Sequence, residues 1–358
     1  MPAAPSRPRA PPPPSAWAAR LWAWLHAPRT LRAAPPVVPR VQPSASPSAR
    51  SARPPPAPWL AAAPAAALEP GALRAGLLRG LLAEQAGLAP GPDRAFVERL
   101  LHLVGDERLE LPVFPAVAQE INGLLAQGQP SASAVARLIE QEPDLLRRVW
   151  QAGGRGPFAR RPASLDHAIA RMGLDGLWRV VMEASVHAPV LHVGRMQAAA
   201  LRSRARSVVA AEVASWLLDE PRGDAWMAGM LHGVGRLVIY THAAGVRGDR
   251  PSFGVVDRLA ERLHPSVGVL VAQAWGLSPA VALGVGAYPA PDWQVGAPQA
   301  LARAVRAGVV AGWTLELGRQ GLDCGGEDEL RSLSAGLWSP AEALARARRV
   351  DPEQRATA

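Results

Sequence analysis

Apolar residues recur along most of the chain at three- and four-residue spacing with almost no period-2 alternation, which predicts an all-α protein. From Gly71 onward helix follows helix with short breaks. Leu73–Leu88 and Asp93–Val104 each carry Leu on one face, joined in the second by Phe and Val, and that second segment begins after Gly91-Pro92 with Asp93 placed to cap it. Leu111-Pro112-Val113-Phe114-Pro115 reads as an extended lead to a helix over 116–125. Ser131 or Ser133 can cap a helix over 134–141, and Pro143 starts another whose stripe is Leu145, Leu146, Val149 and Trp150.

Ser164-Leu165-Asp166-His167 opens a helix that Gly173 closes, and Asp175 starts its successor through Leu177, Val180 and Val181. Further helices are predicted over 196–218 and, after Pro221, over 225–240. The longest uncharged run, from Pro265 to Pro291, has the length of a membrane span, but Ser266, Gln273, Ser278 and Pro279 interrupt it. Ser278 as N-cap and Pro279 at the first helical position divide it into two buried helices. Leu301, Val305, Val309, Trp313 and Leu317 form an i, i+4 ladder. Ser339-Pro340-Ala341-Glu342 is a capping box opening a last helix that ends in Arg346, Arg348 and Arg349.

Composition separates the first 70 residues from the rest. They hold 19 of the 37 prolines and eight Arg against a single acid, Glu69, whereas the remainder carries 31 Arg against 29 acids. The body is therefore nearly neutral, and the basic balance belongs to a Pro/Ala/Arg-rich tail expected to be disordered. Within that tail Trp17, Leu21, Trp24 and Leu25 share a helical face beside Arg20, Arg29 and Arg32, which suits a transient amphipathic helix. No signal-peptide pattern is present, so the reading is cytoplasmic. An anionic surface, membrane or nucleic acid could be met through the basic tail.

The chain has no Lys, which excludes Schiff-base, pyridoxal-phosphate and P-loop chemistry. Cys324, its one cysteine, excludes an intrachain disulfide and a two-cysteine metal knuckle, and reads as a lone thiol in an exposed turn. No G-x-S-x-G elbow and no zincin-type histidine pair occurs. Gly229, Gly233 and Gly235 suit close helix packing rather than a phosphate cradle, because no strand precedes them. Arg202 and Arg206 share a helix face and could form a phosphate fork. Trp150, Trp178, Trp216, Trp226, Trp275 and Trp313 sit at core spacing, and any that proves exposed is an interface candidate.

Several motifs, in order, resemble the HDOD domain, an all-α relative of the HD-type metal phosphohydrolases found in bacterial signalling proteins. They are Leu111-Pro112-x-x-Pro115-x-Val117-Ala118, Leu138-Ile139-Glu140-x-Glu142-Pro143-x-Leu145, and Ser164-Leu165-x-x-Ala168-Ile169-x-x-x-Gly173-Leu174. Ala228 to Val238, with His232-Gly233 at its centre, and His264-Pro265-x-Val267-Gly268 with Trp275-Gly276-Leu277-Ser278 complete the series. The resemblance implies a multi-helix HD/HDOD-like bundle.

In catalytic HD relatives a His, a His-Asp pair and a further Asp hold divalent metal that activates water. Here His232 remains, Gly233 stands in place of the Asp, and Arg206-Ser207 occupies the upstream His position. Gly286-Ala287 stands where two histidines often precede Pro289, and Gly154-Arg155 replaces an Asn-Ser pair. The metal positions His232, Gly233, His264 and Arg206 thus read as vestigial, and His232 reads as a buried imidazole holding neighbouring helices. The expectation is a module without catalysis, metal or cofactor, which binds a protein partner of a bacterial signalling pathway, with a nucleotide as a further candidate ligand. A diverged phosphohydrolase or phosphodiesterase using His232, His264 and Asp224 or Asp257 is the alternative. The expected organisation is a tail over 1–70, a helical lead-in over 71–104, the HDOD-like domain over 105–292, and helices over 293–358 that pack on or extend it.

Overall fold

The structure is a computed structural model that describes residues 69–114, 116–126, 132–154, 162–187, 193–219, 223–289, 297–334 and 337–351. All regular structure among them is helical. The tail with its Trp17 and Trp24, and Pro115, Ser131, Arg155, Pro221 and Pro291, lie outside the described residues. The helices are α1 (Pro70–Ala86), α2 (Pro92–Gly105), α3 (Ala116–Ala126), α4 (Ala132–Ile139), α5 (Pro143–Gly153), α6 (Leu165–His187) and α7 (Gln197–Leu218). After them come α8 (Asp224–Leu231), α9 (Val234–Ala244), α10 (Phe253–Ala274), α11 (Pro279–Ala287), α12 (Ala297–Gly318), α13 (Gly326–Ser334) and α14 (Pro340–Val350). None of the described helices is long and apolar enough to cross a membrane.

Local signals explain most boundaries. Ser278 caps α11 by accepting from the Val281 amide at 3.2 Å, which ends the long uncharged run. Ser339 and Glu342 close their capping box on α14. Gly173 adopts φ 69° and ψ 172°, a region essentially reserved for glycine, and bends α6 between its two segments.

Three expectations change. Asp93 does not cap α2, whose N-cap is Gly91; its carboxylate instead accepts from the Ser252 hydroxyl at 2.9 Å, tying α2 to the start of α10. Ser133 lies inside α4, which begins one residue before it and ends at Ile139. The single helix expected over 225–240 breaks at His232-Gly233 into α8 and α9. Pro265 lies inside α10.

One hydrophobic core runs from Leu73 on α1 to Val309 on α12. The α1–α2 pair packs on α10, where Glu84 receives Arg258 Nε at 3.0 Å. The most extensive pairing joins α7 and α12: a Cβ at Gly308 would lie 2.6 Å from Ala210 Cα, so the two backbones meet almost directly. A second cluster, centred on Val213, Val310, Leu330 and Leu344, gathers α13 and α14 onto this pair.

Candidate functional site: a buried polar cluster at the α8–α9 turn

Glycine brings four helices together here, α7 to α10. A Cβ at Gly229 would lie 2.6 Å from Ala211 N on α7, and one at Gly235 would collide with the His264 backbone on α10. At Gly233 it would lie 2.7 Å from Ser203 Oγ and 3.0 Å from Ser207 Oγ, both on α7. These three glycines serve close packing, as their spacing suggests.

His232 is 2% exposed. Its Nδ1 donates to the Gly229 carbonyl at 2.7 Å, so its hydrogen bond goes to its own helix rather than to a neighbour. The ring meets Tyr288 edge-on, with centroids 5.3 Å apart. Burial, reinforced by the charges of Arg236 and Arg206, pushes its pKa down to about 3, and the imidazole is neutral.

His264 is equally buried. Its Nδ1 donates to the Glu261 carbonyl at 2.8 Å and the Ala260 carbonyl at 3.0 Å. With Nδ1 protonated, Nε2 accepts, from Arg236 Nη2 at 3.3 Å and from the Tyr288 hydroxyl. Burial, then the Arg236 charge, holds this imidazole neutral, well below its usual range. Burial also opposes charge on Arg236, but the Glu261 carboxylate outweighs it and the guanidinium stays protonated in an ion pair with Glu261. Tyr240, raised by its own burial, donates to Asp257 at 2.7 Å.

Arg206 lies at the α7–α12 contact, 8% exposed. Its Nη1 meets Glu316 Oε2 at 3.1 Å, Arg202 Nε meets Glu316 Oε1 at 3.5 Å, and the Arg206 guanidinium lies 3.9 Å from the Trp313 ring centroid. Both arginines of the expected phosphate fork are therefore turned to one carboxylate.

The fold thus gathers His232 and His264 around Tyr288 and Arg236, and leaves the candidate carboxylates apart. Asp224 stands in the first turn of α8, eight residues and about 12 Å of helix rise from His232. Asp257 is engaged by Tyr240. Tyr288 and Glu316 escaped the sequence reading; Tyr288 directly follows Gly286-Ala287 in a position already singled out, whereas nothing local marks Glu316. Cys324 is half-buried beside Thr314 Oγ1 at 3.8 Å rather than exposed. Trp178, Trp226 and Trp275 are buried, while Trp216 is half-buried and lines an apolar groove of about 330 Å³ with Leu333, Leu337 and Trp338.

Among the described residues no three His, Cys, Asp or Glu side chains converge on a position that could hold a metal. The donor chemistry agrees: His264 has both ring nitrogens engaged, two cationic guanidiniums act on His232, and no carboxylate stands at 233. These residues do not fit a hard divalent ion.

Residues 111–287 match the family profile of the HDOD domain. A candidate metal-dependent phosphohydrolase of Shewanella amazonensis has a similar structure, with TM-score 0.55 and 17% identity over 74% of this chain and 99% of its own. An HDOD domain protein of unknown function from Geobacter sulfurreducens has TM-score 0.50 and 20% identity over 69% of this chain and 92% of its own. At such identities the likeness is one of fold. No curated protein matches the chain in sequence.

Proposed function

Residues 111–287 carry an HDOD domain, and from that premise we propose that the chain is a non-catalytic signalling module that acts by binding a protein partner. The observation that carries this reading is the packing at Gly233. At the position that would supply the metal-binding carboxylate of a hydrolase, a Cβ would lie 2.7 Å from Ser203 Oγ and 3.0 Å from Ser207 Oγ, so a side chain enters there only if those hydroxyls turn away. Arg206, at the position of the upstream His ligand, is a cation committed to Glu316. A fixed positive charge beside a neutral, buried imidazole repels a metal cation instead of recruiting one.

The decisive experiment is elemental mass spectrometry on the purified, untagged full-length chain after exchange into buffer containing trace Mn, Fe, Zn and Mg. Substoichiometric metal that is unchanged in His232→Ala is the expected result. Stoichiometric metal that disappears in His232→Ala would overturn the reading and direct attention to phosphate-ester substrates.

A further inference from the structure

A small cavity lies where the short 3-10 turn Gly194–Met196, which leads into α7, meets the end of α9 and the loop after it. Its volume is about 110 Å³, its floor includes the buried Val193, Met196 and Ala243, and two arginines, Arg195 and Arg250, line it from different segments. Arg195 Nη2 donates to the carbonyl of Pro251, the residue that follows Arg250. A direct hydrogen bond between their segments therefore brings the two arginines to one cavity.

The backbone next to Arg250 is pinned. Arg195 takes the Pro251 carbonyl, and the Ser252 amide and hydroxyl each donate to one oxygen of the Asp93 carboxylate on α2. The point from which Arg250 projects is thus fixed before any ligand arrives, which lowers the entropy cost of holding one. The charges are not cancelled. Pro251 offers a neutral acceptor, Asp93 spends both oxygens on Ser252, and neither arginine meets a carboxylate within ion-pairing distance among the described residues, the exposed Asp249 included. The start of α7, whose N-cap Met196 has no side-chain acceptor, adds the positive end of a helix dipole.

We propose that Arg195 and Arg250 form an oxyanion site that takes a phosphate group, free or at the end of a small molecule. A phosphate offers oxygens in several directions, so it can bridge planar donor forks arriving from two segments, and its negative charge matches two guanidiniums. The cavity is well below the roughly 300–1,000 Å³ of a drug-sized ligand site, so it admits the tetrahedral head and leaves the rest of a larger molecule in solvent. Arg202 and Arg206, which their spacing put forward for this chemistry, are engaged by Glu316. The site stands apart from partner binding and from the absence of catalysis.

The test uses the full chain, with inorganic phosphate and glycerol 3-phosphate as probes in calorimetric titration, against chloride at matched ionic strength. Saturable binding is expected, and it should weaken about tenfold in Arg250→Ala, the loss of a charge-assisted hydrogen bond. Arg195→Gln, which keeps a donor for Pro251 but loses the charge, should weaken it to a similar extent. Arg137→Ala, an equal change of charge on α4, should bind like wild type. Arg250 is exposed, so Arg250→Ala should unfold at the wild-type temperature in phosphate-free buffer. Phosphate stabilises folded proteins generally, so in thermal unfolding the telling quantity is the part of its effect that saturates and disappears in Arg250→Ala. Tighter binding of glycerol 3-phosphate would assign the site to an esterified phosphate and equal binding to the phosphate group alone, and both support it. No saturable binding of either probe, or undiminished binding in Arg250→Ala or in Arg195→Gln, would overturn the proposal.

Discussion

His264 supplies the hydrogen bond that Pro265 removes from the middle of α10. Residue 265 of an uninterrupted helix would donate its N–H to the carbonyl of Glu261, but proline has none. His264 Nδ1 reaches that carbonyl instead, at 2.8 Å. The bond fixes the tautomer and leaves Nε2 to accept from Arg236 and Tyr288, so the buried network around the α8–α9 turn is oriented by a defect in the neighbouring helix.

His264→Ala should destabilise the chain by about 2–4 kcal/mol, because it strands the Glu261 carbonyl as well as donors on Arg236 and Tyr288. In a Pro265→Ala background the carbonyl regains a backbone donor, and the same substitution should cost about 1 kcal/mol less. Urea denaturation of the four proteins in the cycle measures the coupling; strictly additive losses would mean that the proline and the histidine act independently.

Restoring a carboxylate at Gly233 should harm folding rather than create a metal site. Gly233→Asp must place its Cβ against Ser203 and Ser207 and bury a charge, a loss of about 3 kcal/mol or more. Gly233→Ala should cost less, and Ser203→Ala should recover part of that loss by removing the 2.7 Å contact. Melting temperatures of the set, with and without Mn, provide the check.

Breaking the Arg206–Glu316 pair from one side should cost about 3–5 kcal/mol, since Glu316 has an 8% exposed side chain and keeps only the looser Arg202 contact. Replacing both partners, in Arg206→Met with Glu316→Met, should restore most of that stability. Because the guanidinium is stacked on Trp313, tryptophan emission should shift in both variants.

Stability should fall below neutral pH. His232, with its folded pKa near 3, and His264, held well below its usual value, take up no proton in the folded state as pH drops beneath 6.5, while the unfolded chain does. Their contribution is therefore complete above about pH 6.5. It is lost on acidification at about 1.4 kcal/mol per pH unit for each histidine until the folded pKa is reached. Denaturation midpoints at pH 7.5, 6.5 and 5.5 should show this slope, and His232→Gln should reduce it by about half.

The helical class, the breaks at Gly173 and Ser278-Pro279, the α14 capping box and the glycine packing around His232 were legible in the sequence. Each depends on neighbours within a few residues: a cap reaches three positions along the chain, and a helical face repeats every three or four. Local pattern misplaced what distant partners govern. Asp93 looks like a cap until Ser252 competes for its carboxylate, and 225–240 reads as one helix until Gly233 meets α7. Arg206 looks like half of a phosphate fork until Glu316, 110 positions away, claims it.

Charge pairing and burial depend on what the fold brings within a few ångströms, and spacing along the chain carries no record of that. The residue types at 206, 232, 233 and 264 therefore pointed to the place where the chemistry had changed. Tertiary packing alone decided that His232 is neutral, that Tyr288 joins the two histidines, and that Glu316 takes up Arg206.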